Sequence, residues 1–443
     1  MQVDWLIEAR WIIPVEPEGA VYEDHALIVD GGRILDLLPA EEAHRRYDAS
    51  QRKTLAQHAL IPGLVNAHTH AAMTLMRGIA DDRPLREWLQ DHIWPLEQRW
   101  VSESFVRDGV DLAIAEMLRG GVTCFNDMYF YPEVAARQCI RIGMRAAIGM
   151  ILVDFPSNWA QTADEYFAKG LALHDEMRHQ PLVTTGFAPH APYSVSDPVF
   201  RRMQTLAAEL DCPVTVHLHE TADEVSEGRR AYGMRPFKRL QQLDVLGPQL
   251  VAVHMTQLTD EEIAALAESG ASVVHCPESN LKLASGFCPV HRLLQAGVNV
   301  AIGTDGAASN NDLDVLGETR TAALLAKAVA GDAAALPAHT ALRMATLNGA
   351  QALGLGDQIG SLSVGKYADC AAVKLGEIET LPLFDPVSDL IYAASRHHIS
   401  DVWVAGRHLL NDRELTTLDT AEICDRSEGW RHKLRAADKE IET

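Results

Sequence analysis

The sequence predicts an α/β protein, a (β/α)8 barrel of the TIM type with a small composite β-sandwich domain built from both chain ends. Three observations predict it. From Ile61 to about Leu355, apolar runs of strand length alternate with longer amphipathic stretches. Eight such runs are present, which suits closure of a parallel sheet. Short extended segments with Gly, Asp and Pro turns flank this region on both sides.

Residues 1–60 contain VDWLIEARWIIPV, HALIVDGGRILDLLP and KTLAQHALIP, and read as the N-terminal part of the β domain. Residues 61–355 read as the catalytic barrel. Its strand candidates are LIPGLVNAH, GVTCFNDMY, RAAIGMILV, LVTTGFAPH, PVTVHLH, LVAVHM, ASVVHCP and VNVAIGTD. Between them lie helix candidates such as SESFVRDGVDLAIAEMLR, PEVAARQCIRIG, DPVFRRMQTLAAELD, RPFKRLQQLDVLG, TDEEIAALAESG and PVHRLLQAG. A doubly wound open sheet is the competing topology, but no Gly-x-Gly-x-x-Gly turn follows any strand. Residues 356–443 return to short strands, in GSLSVGKYADCAAVKL and HISDVWVAGRHLLN, and end in a charged segment with helical spacing.

A chain of 443 residues exceeds what one hydrophobic core supports, so two units are expected. No apolar run reaches the roughly 20 residues needed to span a bilayer. The N-terminus lacks the basic start of a secretory signal, which points to the cytoplasm. Seven scattered cysteines without a Cys-x-x-Cys pair read as buried thiols rather than disulfides. A net charge of -22 would repel a phosphate backbone, so neither nucleic acid nor membrane is an expected partner. A homo-oligomer remains open.

Catalytic groups of such barrels come from the C-terminal ends of the strands. At the end of the first, in NAHTH, period-two alternation puts His68 and His70 on one side. A lone His-x-His pair is weak evidence. The fifth strand, however, ends in HLHE, with His217, His219 and Glu220; the sixth ends in His254; the eighth ends in Asp305. Four strand ends carrying imidazoles and carboxylates read as a metal or catalytic site.

These residues resemble the signature of the amidohydrolase superfamily, and PGLVNAHTH, GTDGAASNN and GSLSVGKYAD follow in the expected order over nearly the whole chain. The resemblance implies one divalent metal ion, zinc before iron or manganese, on His68, His70, His217 and Asp305. The bridging lysine of two-metal members is missing from LVTTGFAPH, which indicates a mononuclear site. Within the superfamily, HTHAAMTLMRGIADDRPLREWL followed by HIWPLEQRW is similar to the methylthioadenosine/S-adenosylhomocysteine deaminases. That likeness implies a nucleoside substrate, with Trp88 lying against it, Glu97 accepting from the ribose hydroxyls and His190 contacting the nucleoside. Each has a structural alternative: Trp88 as packing, Glu97 as a solvated helix residue, His190 as a loop residue.

The implied reaction is hydrolytic deamination at C6 of adenine. Glu220 would relay protons, while His254 and Asp305 would orient the water and pass its proton to the leaving ammonia. Glu220 and Asp305 would thereby also contact the substrate. His219 shares the strand phase of His217 and is read as a supporting residue; His275, in VVHCPESNLKLASG, as one that shapes the pocket. No arginine lies between Ala146 and Met177, where this family places the arginines for a homocysteine carboxylate. Lys169 and the upstream Arg145 are the nearest cations. The absence favours 5'-methylthioadenosine, or adenosine, over S-adenosylhomocysteine, with MILVDF and Trp159 available to cover a thioether. A triazine, pterin or guanine aminohydrolase, or a chlorohydrolase, would share the ligands but have no use for Glu97. A catalytically silent relative acting in assembly would have lost ligands; this chain lacks none.

Overall fold

The computed structural model describes the fold of residues 1–441 and the side chains of residues 1–435. Two eight-stranded sheets organise it. The first runs β16-β15-β14-β13-β4-β1-β2-β3, with β1 Gln2–Ile12, β2 Tyr22–Asp30, β3 Arg33–Pro39 and β4 Asp48–Pro62 from the start of the chain. Its other half is β13 Cys370–Lys374, β14 Ile399–Val404, β15 Arg407–Asn411 and β16 Glu414–Leu415. The halves join where β13 pairs antiparallel with β4, Ala371 opposite Ile61. Trp5 on β1 and Trp403 on β14 meet edge to face at 5.9 Å. In a flat sheet three strand spacings would separate them by about 14 Å. The sheet therefore curls over a core of residues such as Ile7, Leu27, Leu60 and Trp403.

The second sheet is parallel and holds β5 Leu64–Thr69, β6 Val122–Asp127, β7 Arg145–Leu152, β8 Val183–Pro189, β9 Val214–Leu218, β10 Leu250–His254, β11 Ser272–His275 and β12 Asn299–Ile302 in sequential order. Each coincides with one of the eight sequence candidates, β5 running one residue beyond its own to Thr69. The six helix candidates hold helices too, for example Glu103–Arg119, Pro132–Ile142 and Asp260–Ser269. Near-continuous burial along β5, β6, β7, β9 and β10 is what a sheet covered on both faces requires.

Side chains close the barrel between β12 and β5. Asn66 donates to Thr304 Oγ1 at 2.8 Å and accepts from the Thr304 backbone N–H at 3.0 Å, while Thr69 donates to the Asp305 carbonyl at 2.8 Å. Gly303 permits the approach: a Cβ there would stand 2.8 Å from Val274 Cγ1 and 3.0 Å from His68 Cβ.

Residues 71–101, after β5, form an insertion that roofs the barrel mouth: a 3-10 turn at Ala71–Met76, a π-helical turn at Trp88–Ile93 and the helix Trp94–Trp100. The chain ends in the helix Thr420–Ile441, which packs against Glu103–Arg119. No helix among the described residues is long and apolar enough to cross a membrane. Six cysteines are buried, but Cys424 is exposed on the terminal helix, contrary to the sequence reading.

Candidate metal centre and substrate cavity

The C-terminal ends of β5, β9 and β12 bring His68, His70, His217 and Asp305 together, each offering one ligand atom, all within 4.8 Å of one another. His68 Nε2 lies 3.0 Å from His217 Nε2; Asp305 Oδ1 lies 3.4 Å from His68 Nε2 and 3.1 Å from His70 Nε2. The backbone fixes two tautomers: His70 Nδ1 donates to the Met128 carbonyl at 2.6 Å, and His217 Nδ1 to the His190 carbonyl at 2.8 Å. Their Nε2 lone pairs therefore converge with a carboxylate oxygen on one point in a buried site. Such a donor set repels itself without a cation and matches the N and O chemistry of zinc. The residues present fit a divalent ion.

The turns that follow the strands are strained. His254 and Asp305 have φ of 77° and 60°, in the left-handed region that non-glycine residues seldom adopt. His254 is fully buried, and its Nε2 stands 3.8 Å from Glu220 Oε2. Burial, with Asp305 and Glu224 nearby, pushes the Glu220 carboxyl well above the ordinary glutamate value. Burial lowers His254 to about 3 against the pull of Asp305, and lowers His190 likewise to about 3.

One cavity collects nearly every residue singled out in the sequence: His70, Trp88, Glu97, His190, His217, Glu220, His254 and Asp305 line it together. His68 lies fully buried behind, against His70 and His217. Glu97 is not a solvated helix residue. Tyr129 donates to its Oε1 at 2.7 Å, and burial pushes it up to about 7 despite that bond. Trp88 is 5% exposed and faces the cavity from the π-helical turn. His190 is held by Ser194, its Nδ1 2.9 Å from the hydroxyl.

Three secondary readings change. His219 leaves the strand phase of His217 because β9 ends at Leu218 and His219 takes φ 53°; its Nε2 accepts from the Phe237 N–H at 3.1 Å, bracing the following helix. His275 is buried outside the cavity lining, and neither ring nitrogen has a partner among the described residues. Trp159 also lies outside it, its indole N–H shared by the two carboxylate oxygens of Glu133 at 3.2 and 3.1 Å. From MILVDF, the alternate residues Ile151, at the end of β7, and Val153 and Phe155, just beyond it, do line the cavity.

Sequence reasoning missed Tyr129, Ser279, Asn280, Ser285 and Ser309. Ser279 and Ser309 donate to Asp305 Oδ2 at 2.8 and 2.7 Å; the Asn280 amide nitrogen lies 3.0 Å from His254 Nδ1; Ser285 donates to Glu220 at 3.4 Å. VVHCPESNLKLASG and GTDGAASNN contain four of them, but no spacing rule attaches a hydroxyl to a carboxylate on another strand.

The family model for the amidohydrolase family matches residues 59–409. The chain belongs to the amidohydrolase family. Among curated relatives, this amidohydrolase is 50% identical to a 5-methylthioadenosine/S-adenosylhomocysteine deaminase of Teredinibacter turnerae, covering 98% of each chain. It is 49% identical to a protein of the same name from Saccharophagus degradans, covering 98% of this chain and 97% of the other. Among solved structures, an adenosine deaminase from Xanthomonas campestris with bound zinc superposes with a TM-score of 0.97 at 54% identity, over 98% of this amidohydrolase and 99% of that chain.

Proposed function

We propose that this amidohydrolase hydrolytically deaminates an adenine nucleoside, with 5'-methylthioadenosine favoured over adenosine and S-adenosylhomocysteine. The observation that carries the reading is one cavity containing both a His/Asp donor set and, held by Tyr129, the buried carboxylate of Glu97. A hydrogen-bond acceptor placed there suits a pair of ribose hydroxyls and serves no purpose in a triazine site. The deaminase names of the relatives point the same way.

His68, His70, His217 and Asp305 would hold the metal ion. Such an ion, when bound, supplies a strong oxygen nucleophile from water at neutral pH and Lewis acidity. Glu220, whose carboxyl burial raises well above the ordinary glutamate value, donates a proton to N1 of the ring as oxygen adds to C6, giving a tetrahedral carbon. Asp305 accepts a proton from the attacking water. Neutral His254 orients the oxygen. The C6–N6 bond then breaks: the amino group leaves as ammonia with the proton held by Asp305, the C6 hydroxyl returns its proton to Glu220, and the 6-oxo purine remains. His190 and Trp88 hold the nucleoside, and the roof formed by residues 71–101 keeps bulk water out.

The 5' substituent would extend toward Trp94 and Phe155, whose rings lie 6.2 Å apart, and the adjoining cavity of about 450 Å³. No Lys or Arg lines either space among the described residues. Arg145 is committed to Asp369 at 2.7 Å, and Lys169 to the Trp159 carbonyl. On the Glu220 side of the mouth, Arg83, Arg86 and Lys282 are paired with Glu87, Glu227 and Asp81. A thioether is therefore accommodated without a fork for an amino-acid carboxylate.

A deamination panel of methylthioadenosine, adenosine, S-adenosylhomocysteine, guanine and a triazine, followed by ultraviolet absorbance on zinc-loaded protein, tests the reading. The largest kcat/KM is expected for methylthioadenosine. Turnover of guanine or the triazine alone would overturn it.

A further inference from the structure

We propose that Ser279–Ser285, in the connection after β11, is a positioning clamp that holds the proton-handling groups of three other strand ends in register. The proposal rests on the roles given above to Glu220, His254 and Asp305. Glu220 and Asp305 follow β9 and β12, His254 is the last residue of β10, and each makes a contact with this one segment.

The first contact selects an oxygen. A carboxylate offers about four lone-pair sites, two on each oxygen. Ser279 and Ser309 occupy both on Asp305 Oδ2, at 2.8 and 2.7 Å, which turns Oδ1 toward His70 Nε2 at 3.1 Å. The second contact selects a nitrogen. With the Asn280 amide 3.0 Å from His254 Nδ1, the ring plane is fixed, and so is the nitrogen that carries the imidazole proton. The amide N–H donates to Nδ1, so the proton sits on Nε2, the nitrogen nearest Glu220. The third contact is the Ser285 hydroxyl, which donates to Glu220 Oε1 at 3.4 Å.

Nothing else in the fold accounts for these residue types. Ser279, Asn280 and Ser285 are 0%, 1% and 5% exposed, and the Asn280 amide oxygen has no partner among the described residues. Buried polar side chains in the short helix Pro277–Lys282 weaken packing and compete with its backbone hydrogen bonds. The segment is itself braced. Ser285 N–H donates to the Asn280 carbonyl at 2.9 Å, Leu283 N–H to the Ser279 carbonyl at 3.0 Å, and Thr256 Oγ1 to the Ser285 carbonyl at 3.2 Å. A braced segment touching three buried side chains supplies the support that catalytic geometry requires.

The test compares Ser279→Ala, Asn280→Ala and wild type as zinc- and cobalt(II)-loaded full-length proteins. Metal per chain, the visible cobalt absorption, kcat and KM are measured. Both variants are expected to keep one metal per chain and KM within about threefold, with kcat falling by about tenfold to a hundredfold. The cobalt band should shift in Ser279→Ala, whose Asp305 carboxylate loses one of its two hydroxyl donors, and stay in place in Asn280→Ala. Wild-type kcat in either variant, or a loss that only tracks missing metal or unfolded protein, overturns the clamp. The assignments to Glu220 and His254 fail separately, when wild-type enzyme turns over no adenine nucleoside. The cobalt band of Ser279→Ala still reads the hold on Asp305 in that case, and an unshifted band overturns it.

Discussion

Glu220 and Glu97 are two buried carboxyl groups in one cavity with different tasks. In the proposed reaction Glu220 moves a proton, so Glu220→Gln should retain metal and lower kcat by roughly 10²–10⁴-fold, measured by single-turnover deamination beside metal analysis. The role proposed for Glu97 is to accept the ribose hydroxyls, so Glu97→Ala should raise KM for nucleosides far more than it lowers kcat. Its burial also has a pH signature. Glu97 stands near 7 in the folded chain against an ordinary 4.5, so the folded state loses stability as pH rises between those values. Glu97→Gln is therefore expected to melt higher than wild type at pH 8 and equally at pH 4, while binding nucleoside more weakly. A thermal melt at the two pH values checks it. At this scale the metal donors were legible through the family resemblance, since strand phase alone also put His219 beside His217. Tyr129, Ser279 and Asn280 were not, since a hydroxyl or amide acquires its role from a partner that folding alone brings near.

Among the elements, the strands were the most legible, because buried parallel strands write themselves as unbroken apolar runs. The roof was not. Its π-helical turn at Trp88–Ile93 has no periodicity of its own and exists because Trp88 and Trp94 pack over the cavity. The terminal helix was legible as a helix but not as a support. Trp430 on it meets Trp100 at 6.4 Å and Phe105 at 5.2 Å, and its indole N–H donates to Asp108 at 2.9 Å. Trp100 ends the helix that carries Glu97. Trp430→Ala should cost about 3–5 kcal/mol in stability and raise KM for nucleosides, read from denaturant unfolding and steady-state kinetics.

Across the whole molecule, the barrel and the composite sheet are pinned by a buried pair. Arg145 at the start of β7 donates twice to Asp369, at 2.7 and 3.1 Å, and both side chains are almost fully buried. Asp369→Ala would leave the guanidinium buried without its carboxylate, at a cost of about 3–5 kcal/mol seen as a lower Tm. Removal of metal by a chelator should also lower Tm, because an ion that binds only the folded donor set stabilises it, and zinc should restore both Tm and activity.

The sequence by itself determined the barrel and the two-ended β domain, because both follow from local periodicity, and its resemblance to the amidohydrolase signature named the donors at β5, β9 and β12. Only the tertiary structure decided that Glu97 and Trp88 share a cavity with those donors, that His219 turns away from it, and that Arg145 is unavailable to a substrate. Those outcomes depend on contacts between residues far apart in the chain, and local pattern holds no record of them.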